Sequence, residues 1–209
     1  MSVTVVGQPE SLRQAAVDFL SSRGRLSPAS QAAELQTAFP CFKAVSIRRD
    51  WLKRTARLEF TLRGAAAAAT LRGRAAGYLS ADGVVFAAPD GIYAVAGPVV
   101  ETAGASSDDL KTAVKLSRAA SLPGALPAAL ESLRFVSTQD GWEARLADGT
   151  TVLWGDGRWT SDKLARLREA LADARAQAAA PAKFVADLRY FEDGRVLLRP
   201  LPSRSLSLR

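Results

Sequence analysis

Histidine is missing from all 209 residues, and cysteine and methionine each occur once. Without histidine the common zinc sites and every imidazole-based catalytic triad are excluded, and most hydrolytic mechanisms go with them. The single thiol, Cys41, has no partner for an internal disulfide. Its neighbours Phe39, Pro40 and Phe42 predict a buried side chain rather than a reactive one. No run of about 18 apolar residues is present, and the start of the chain has neither a basic segment nor a signal-type apolar stretch. Phosphate-cradling glycine motifs are also missing: Gly155-Asp156-Gly157 lacks the spacing of a dinucleotide fingerprint. No cofactor and no metal is expected, and the chain reads as non-catalytic.

What is present describes a globular protein. Hydrophobic residues make up 48% and charged residues 23%, and 28 basic side chains against 21 acidic ones leave a net charge of +7. This balance suits anionic surroundings and also keeps a protein soluble. The densest basic stretch, Arg48, Arg49, Lys53, Arg54 and Arg57 around Trp51, is the best nucleic-acid candidate, although such clusters are ordinary on solvated faces. Trp142, Trp154 and Trp159 with Trp51 could stack on bases, but tryptophans on alternating strands more commonly fill cores.

Periodicity gives the organisation. Val3 to Val6 reads as a strand, and Leu12, Ala15, Ala16, Phe19 and Leu20 share a helical face after Pro9-Glu10. Ser27-Pro28 is an N-cap and first-turn pair for a second helix that stops at Pro40. Strands follow at Phe42 to Arg48 and from Ala56, where Ala56, Leu58, Phe60 and Leu62 alternate with polar residues. The order is β-α-α-β-β. Beyond it the turn chemistry changes: Asp-Gly occurs at Asp82, Asp90, Asp140, Asp148, Asp156 and Asp193, never earlier, and predicts type I′ hairpins. A boundary near Gly64 therefore separates residues 1–63 from a mainly antiparallel β domain at 64–202, with a disordered tail at 203–209. Ala65 to Ala69 reads as strand by its neighbours. Two helices interrupt the strands, one capped by Ser107, the other opening at Thr160-Ser161 with Leu164, Leu167 and Leu171 inward and ending before Pro181. The fold class is α+β. The last hairpin joins Phe184–Tyr190 to Arg195–Leu201.

Three ordered stretches carry a resemblance. Pro40 through Val45 and Ile47 to Arg49 and Trp51 resembles the "P-x-[IV]-x-x-V-x-[IV]-x-[RK]-x-W-P" signature of the FtsQ (DivIB) family of bacterial division proteins. Gly77 to Phe86 resembles its "[VL]-D-x-x-G-x-[VL]-F", and Val185-Ala186-Asp187-Leu188-Arg189-Tyr190 its "[YI]-[IV]-D-L-R-Y". Leu52 stands where the family has proline, and Thr61 to Ala66 departs from the usual end of the first domain. The resemblance implies a POTRA domain followed by a β domain, both outside the cytoplasm behind a single inner-membrane anchor. It also implies a scaffold role in the division machinery, with FtsB/FtsL-type partners adding a strand to the last β strands. Carried over by position, the partner surface is Arg189, Tyr190, Phe191, Arg195, Val196 and Leu198, and a weaker recruitment edge is Ile47 and Arg49. Alternation buries either Leu197 or Leu198, and Leu198 is expected to face outward. Arg195 and Arg199 would guard the bare edge. The competing readings are a basic nucleic-acid-binding protein and a POTRA-bearing export or assembly factor.

Overall fold

Alternation between apolar and polar residues along Thr55–Leu62 sets up the centre of the first unit. In the computed structural model, which describes residues 2–6, 9–22, 26–50, 52–177 and 183–201, the order is β1 (Ser2–Val6), α1 (Glu10–Ser22), α2 (Pro28–Ala38), β2 (Phe42–Asp50) and β3 (Thr55–Leu62). Strand β3 lies in the middle, parallel to β1 and antiparallel to β2. Ser27 caps α2 by accepting the N–H of Ser30 at 3.1 Å, and Pro28, which has no N–H to satisfy, starts it. Leu12, Ala16, Leu20 and Leu35 from the helices and Phe42, Ala56, Leu58 and Phe60 from the strands are buried. Phe39, Phe42 and Phe60 stack in sequence with centroids 5.3 and 4.4 Å apart. Cys41 is buried, and that burial pushes its thiol pKa up, so it is inert packing. Trp51, the tail at 203–209 and the end of the last helix before Pro181 lie outside the described residues.

The second unit continues with β4 (Ala65–Leu71), β5 (Arg74–Ser80), β6 (Val85–Phe86), β7 (Val99–Glu101), α3 (Ser107–Ala120), β8 (Leu130–Ser137), β9 (Gly141–Leu146), β10 (Thr151–Gly155), α4 (Thr160–Gln177), β11 (Phe184–Asp187) and β12 (Leu197–Pro200). Nine strands form one sheet in the order β12-β11-β10-β9-β8-β7-β4-β5-β6. Most neighbours are antiparallel, but β7 bridges β4 and β8 in parallel, and β11 runs parallel to β10 after the crossover through α4. Trp142 and Trp154 are core residues beneath α3 and α4, together with Leu133, Leu146, Val152, Leu164, Leu167 and Leu171. The compact units comprise Met1–Gly64 with Phe86–Ala94, and Ala65–Val85 with Val95–Arg209. Phe86–Ala94 joins the first because Tyr93 donates its hydroxyl to the carbonyl of Arg63 at 2.7 Å, with its ring edge-on to Phe86.

Several local expectations need correction. Strand β7 was not legible, being three residues long and paired only through distant crossovers. The cap of α3 is Ser106 rather than Ser107: its hydroxyl accepts the Asp109 N–H while the Asp109 carboxylate accepts the Ser106 N–H. The Asp-Gly turns are not type I′, which needs positive φ at both central residues. Among the described residues only Arg54, Arg72 and Trp159 are non-glycine with positive φ, so each of these aspartates keeps a negative φ. Asp148 instead accepts the Thr150 N–H at 2.9 Å, and Gly149 turns left-handed at φ 82°. The two-residue turn with both φ positive is Arg72-Gly73, whose N–H groups both donate to the carboxylate of Glu101, at 2.7 and 2.8 Å.

Gly141 has φ 68°, and a side chain there would come within 2.1 Å of the Gly155 carbonyl oxygen. Gly194 has φ 67° with open space around it. Gly141→Ala is therefore expected to lose about 3 kcal/mol in chemical denaturation from overpacking plus strain. Gly194→Ala, with strain alone, should lose about 1 kcal/mol.

Candidate partner-binding edge

Asp187 ends β11 with its carboxylate buried, and that burial is tolerable only because Arg189 reaches back to it. The Arg189 guanidinium donates Nε to Oδ1 at 3.0 Å and Nη2 to Oδ2 at 2.8 Å, while Nη1 donates to Asp140 in the β8–β9 turn at 2.8 Å. Hydrogen bonding to Arg189 holds the Asp187 carboxyl below its ordinary value against the opposing effect of burial. The same bonds push the Arg189 pKa up. Gly155 lies against this hub: a side chain there would sit 3.0 Å from the Arg189 Cα. Arg189 is thus occupied within the fold, which is a different task from the pairing with partner acids expected of it.

Strand β12 follows as the terminal strand of the sheet, antiparallel to β11 with Ala186 opposite Leu198 and Asp187 opposite Leu197. Its outer side pairs with no strand among the described residues. The orientation of the two leucines reverses the expectation. Leu198 shares the inward face with Ala186 and packs on the core, while Leu197 is 56% exposed. Side chains alternate, and the register places Leu198 over the buried row. The hairpin is also shorter than expected: residues 191–193 form a 3₁₀ turn, so Tyr190 and Arg195 lie outside both strands. Phe191 is only 5% exposed and belongs to the core, so it has no surface for a partner. Val196 is half-buried against the same core. Tyr190 is 76% exposed, with the Arg189 guanidinium 5.8 Å from its ring centre. The surface actually brought together is Tyr190, Arg195, Leu197 and Arg199.

Helix α4 borders this edge. Two adjoining depressions of about 430 and 390 Å³ run between its outward face and residues 191–197, sharing Arg166 and Gly194. Trp159, half-exposed at φ 52°, stands at one end, and Leu197 at the other. Neither α4 nor Trp159 was singled out from the sequence as part of this surface; an exposed tryptophan at a helix start has no periodic signature. Lys163 was also missed. It is 1% exposed, with Nζ donating to the carbonyls of Trp154 at 2.9 Å and Asp156 at 3.1 Å, and it fixes α4 to the end of β10. Burial pushes its pKa down, in opposition to nearby Asp156.

In the first unit β2 is an edge strand, but Ile47 and Arg49 are on its half-buried side. Arg49 donates to Gln31 of α2 at 2.6 Å. The exposed side carries Ser46 and Arg48. Among the described residues no cluster of three or more His, Cys, Asp or Glu side chains could hold a metal, and no helix is long and apolar enough to cross a membrane.

Comparison with known families now adds to this geometry. The family described as cell division protein FtsQ/DivIB, C-terminal, matches residues 69–189, a span reaching from β4 to the Arg189 hub. The chain is a cell division protein of a non-enzymatic, membrane-anchored class that acts in septum formation within divisome complexes. It belongs to the FtsQ/DivIB family. No curated protein matches the chain.

Asp187→Asn is expected to cost about 2 kcal/mol, because Arg189 loses its charged acceptor in a mostly buried setting. A depressed carboxyl pKa stabilises the fold fully above the unfolded value near 3.8, and that stabilisation is lost as pH falls through the lower folded value. Urea titrations of the native chain should therefore show stability falling below about pH 4, with a shallower fall in Asp187→Asn. Parallel profiles for the two proteins would contradict this assignment.

Proposed function

We infer that this chain is a divisome scaffold that binds FtsB/FtsL-type partners by strand addition to the outer side of β12. The observation that carries the reading is that β12 ends the sheet with its outer backbone unpaired among the described residues, beside exposed Leu197 and Tyr190. Strand addition draws affinity from backbone hydrogen bonds and selectivity from flanking side chains. Leu197 and Tyr190 supply apolar contact, and Arg195 and Arg199 offer charge to partner acids. The same arginines discourage pairing between copies of the bare edge. Residues 64–202 form the partner-binding domain in this reading, and residues 1–63 a POTRA domain whose β2 edge serves recruitment. An anchor preceding β1 places both domains on the outer face of the cytoplasmic membrane.

A peptide spanning the strand-forming part of an FtsB-type partner, titrated calorimetrically, should bind the native chain and protect the β12 amides from hydrogen exchange. Leu197→Glu and Tyr190→Ala should each weaken binding about tenfold or more. Both side chains are exposed, so circular dichroism should be unchanged. Native affinity in a folded Leu197→Glu variant would sink the reading. Leu198→Glu is unsuitable, since it places a charge in the core.

A further inference from the structure

The connection between β2 and β3 is built to hold an apolar side chain in solvent. Asp50 and Thr55 are the closing pair of the ladder. Between them the Asp50 carboxylate accepts the Lys53 N–H at 3.0 Å, and Arg54 takes a left-handed φ of 49°. These two constraints fix the turn locally. Leu52 projects from it 99% exposed.

The surroundings of Leu52 are cationic. Arg48 and Arg57 face each other across the ladder on the exposed side of the sheet, an arrangement of like charges that works against pairing. Arg57 is offset by Glu59 at 2.7 Å, whereas Arg48, Lys53 and Arg54 carry no ion pair among the described residues. Among the described residues of the turn and its adjoining rungs, Arg48, Lys53, Arg54 and Arg57 thus stand against Asp50 and Glu59, with Leu52 exposed at the tip.

The register says which end of the sheet this is. β1 runs parallel to β3, with Ser2 level with Thr55, so the start of β1 and the hairpin tip share one end. If the anchor precedes β1, as inferred above, that end faces the bilayer.

We propose that the β2–β3 tip is a membrane-contact element that seats on anionic lipid headgroups. Leu52 enters the interfacial layer, while Arg48, Lys53, Arg54 and Arg57 engage the phosphates. An apolar tip ringed by cations matches an anionic bilayer, where buried apolar surface and electrostatic attraction reinforce each other. A single hairpin tip is far smaller than a stable protein interface, whereas a planar charged surface needs only this small footprint. Together with an anchor, such a contact fixes how the first unit stands on the membrane. The proposal rests on the anchor reading for its orientation only.

The 209-residue chain can be tested directly by co-sedimentation with vesicles of phosphatidylcholine, with and without phosphatidylglycerol. Binding is expected to the anionic vesicles alone and to fall as salt rises. Lys53→Glu and Arg54→Glu should each weaken it roughly fivefold or more, Leu52→Asp should weaken it, and Leu52→Trp should strengthen it. All three positions lie in the turn between β2 and β3 and leave the core untouched, so an unchanged circular dichroism spectrum and thermal unfolding serve as the fold control. No binding to anionic vesicles, or equal binding by Leu52→Asp with Lys53→Glu and Arg54→Glu combined, overturns the proposal. Tighter, salt-sensitive binding to a DNA oligonucleotide than to the vesicles, lost in the same variants, also overturns it and gives the patch to nucleic acid. Membrane fractionation of the full-length gene product tests the anchor separately, so failure of vesicle binding does not count against that reading.

Discussion

The position of the sheet's terminal strand depends on one guanidinium. Arg189 joins the end of β11 to the turn before β9 through Asp187 and Asp140. The glycines of the intervening strands make that approach possible, Gly141 lying against Gly155 and Gly155 against Arg189. With three strand ends drawn together, the chain must leave β11 toward the Phe191 turn, and Phe191 then drops into the core. β12 returns with Leu198 opposite Ala186, over the buried face, and Leu197 outside. A charged group that sequence reasoning assigned to a partner thus does its work upstream, by setting which side chains any partner can meet.

How much of this was legible depended on the range of the forces concerned. The α+β class, the β-α-α-β-β order, the cap at Ser27, the opening of α4 at Thr160 and its inward leucines follow from local periodicity and capping chemistry, and all are present. The strand at Ala65–Leu71 goes against alanine's helical preference, because pairing with β5 and β7 outweighs propensity. What depended on register was lost. One residue of slip exchanges Leu197 with Leu198, and nothing in a run of alternating residues near Gly194 reports the 3₁₀ turn that sets the phase. Lys163 was hidden because a lysine at a helix start looks solvated unless the carbonyls of Trp154 and Asp156 are already known to converge on it.

The aspartates of the second unit show a related lesson. Asp-Gly was a sound signal for where the chain turns and a poor one for how. The carboxylates of Asp148 and Asp156 bond backbone N–H groups two residues on, and glycine takes the left-handed conformation at Gly83, Gly91, Gly141, Gly149 and Gly194, while the tight two-residue turn is built by Arg72-Gly73 over Glu101, 29 and 28 residues away in the chain. Residue type located the bend, and long-range hydrogen bonding chose its geometry.

The parallel pairing of β11 with β10 has a consequence for solubility. Were residues 183–201 to open as a unit, the newly exposed strand would be β10, whose Val152 and Trp154 are buried and whose Thr151 and Leu153 are half-covered. Such a strand, apolar on both faces and free of charge, is the kind of template on which chains self-associate. The terminal hairpin with its arginines is thus a cap on the sheet, and the Arg189 hub that ties the end of β11 to the β8–β9 turn works against self-association through β10.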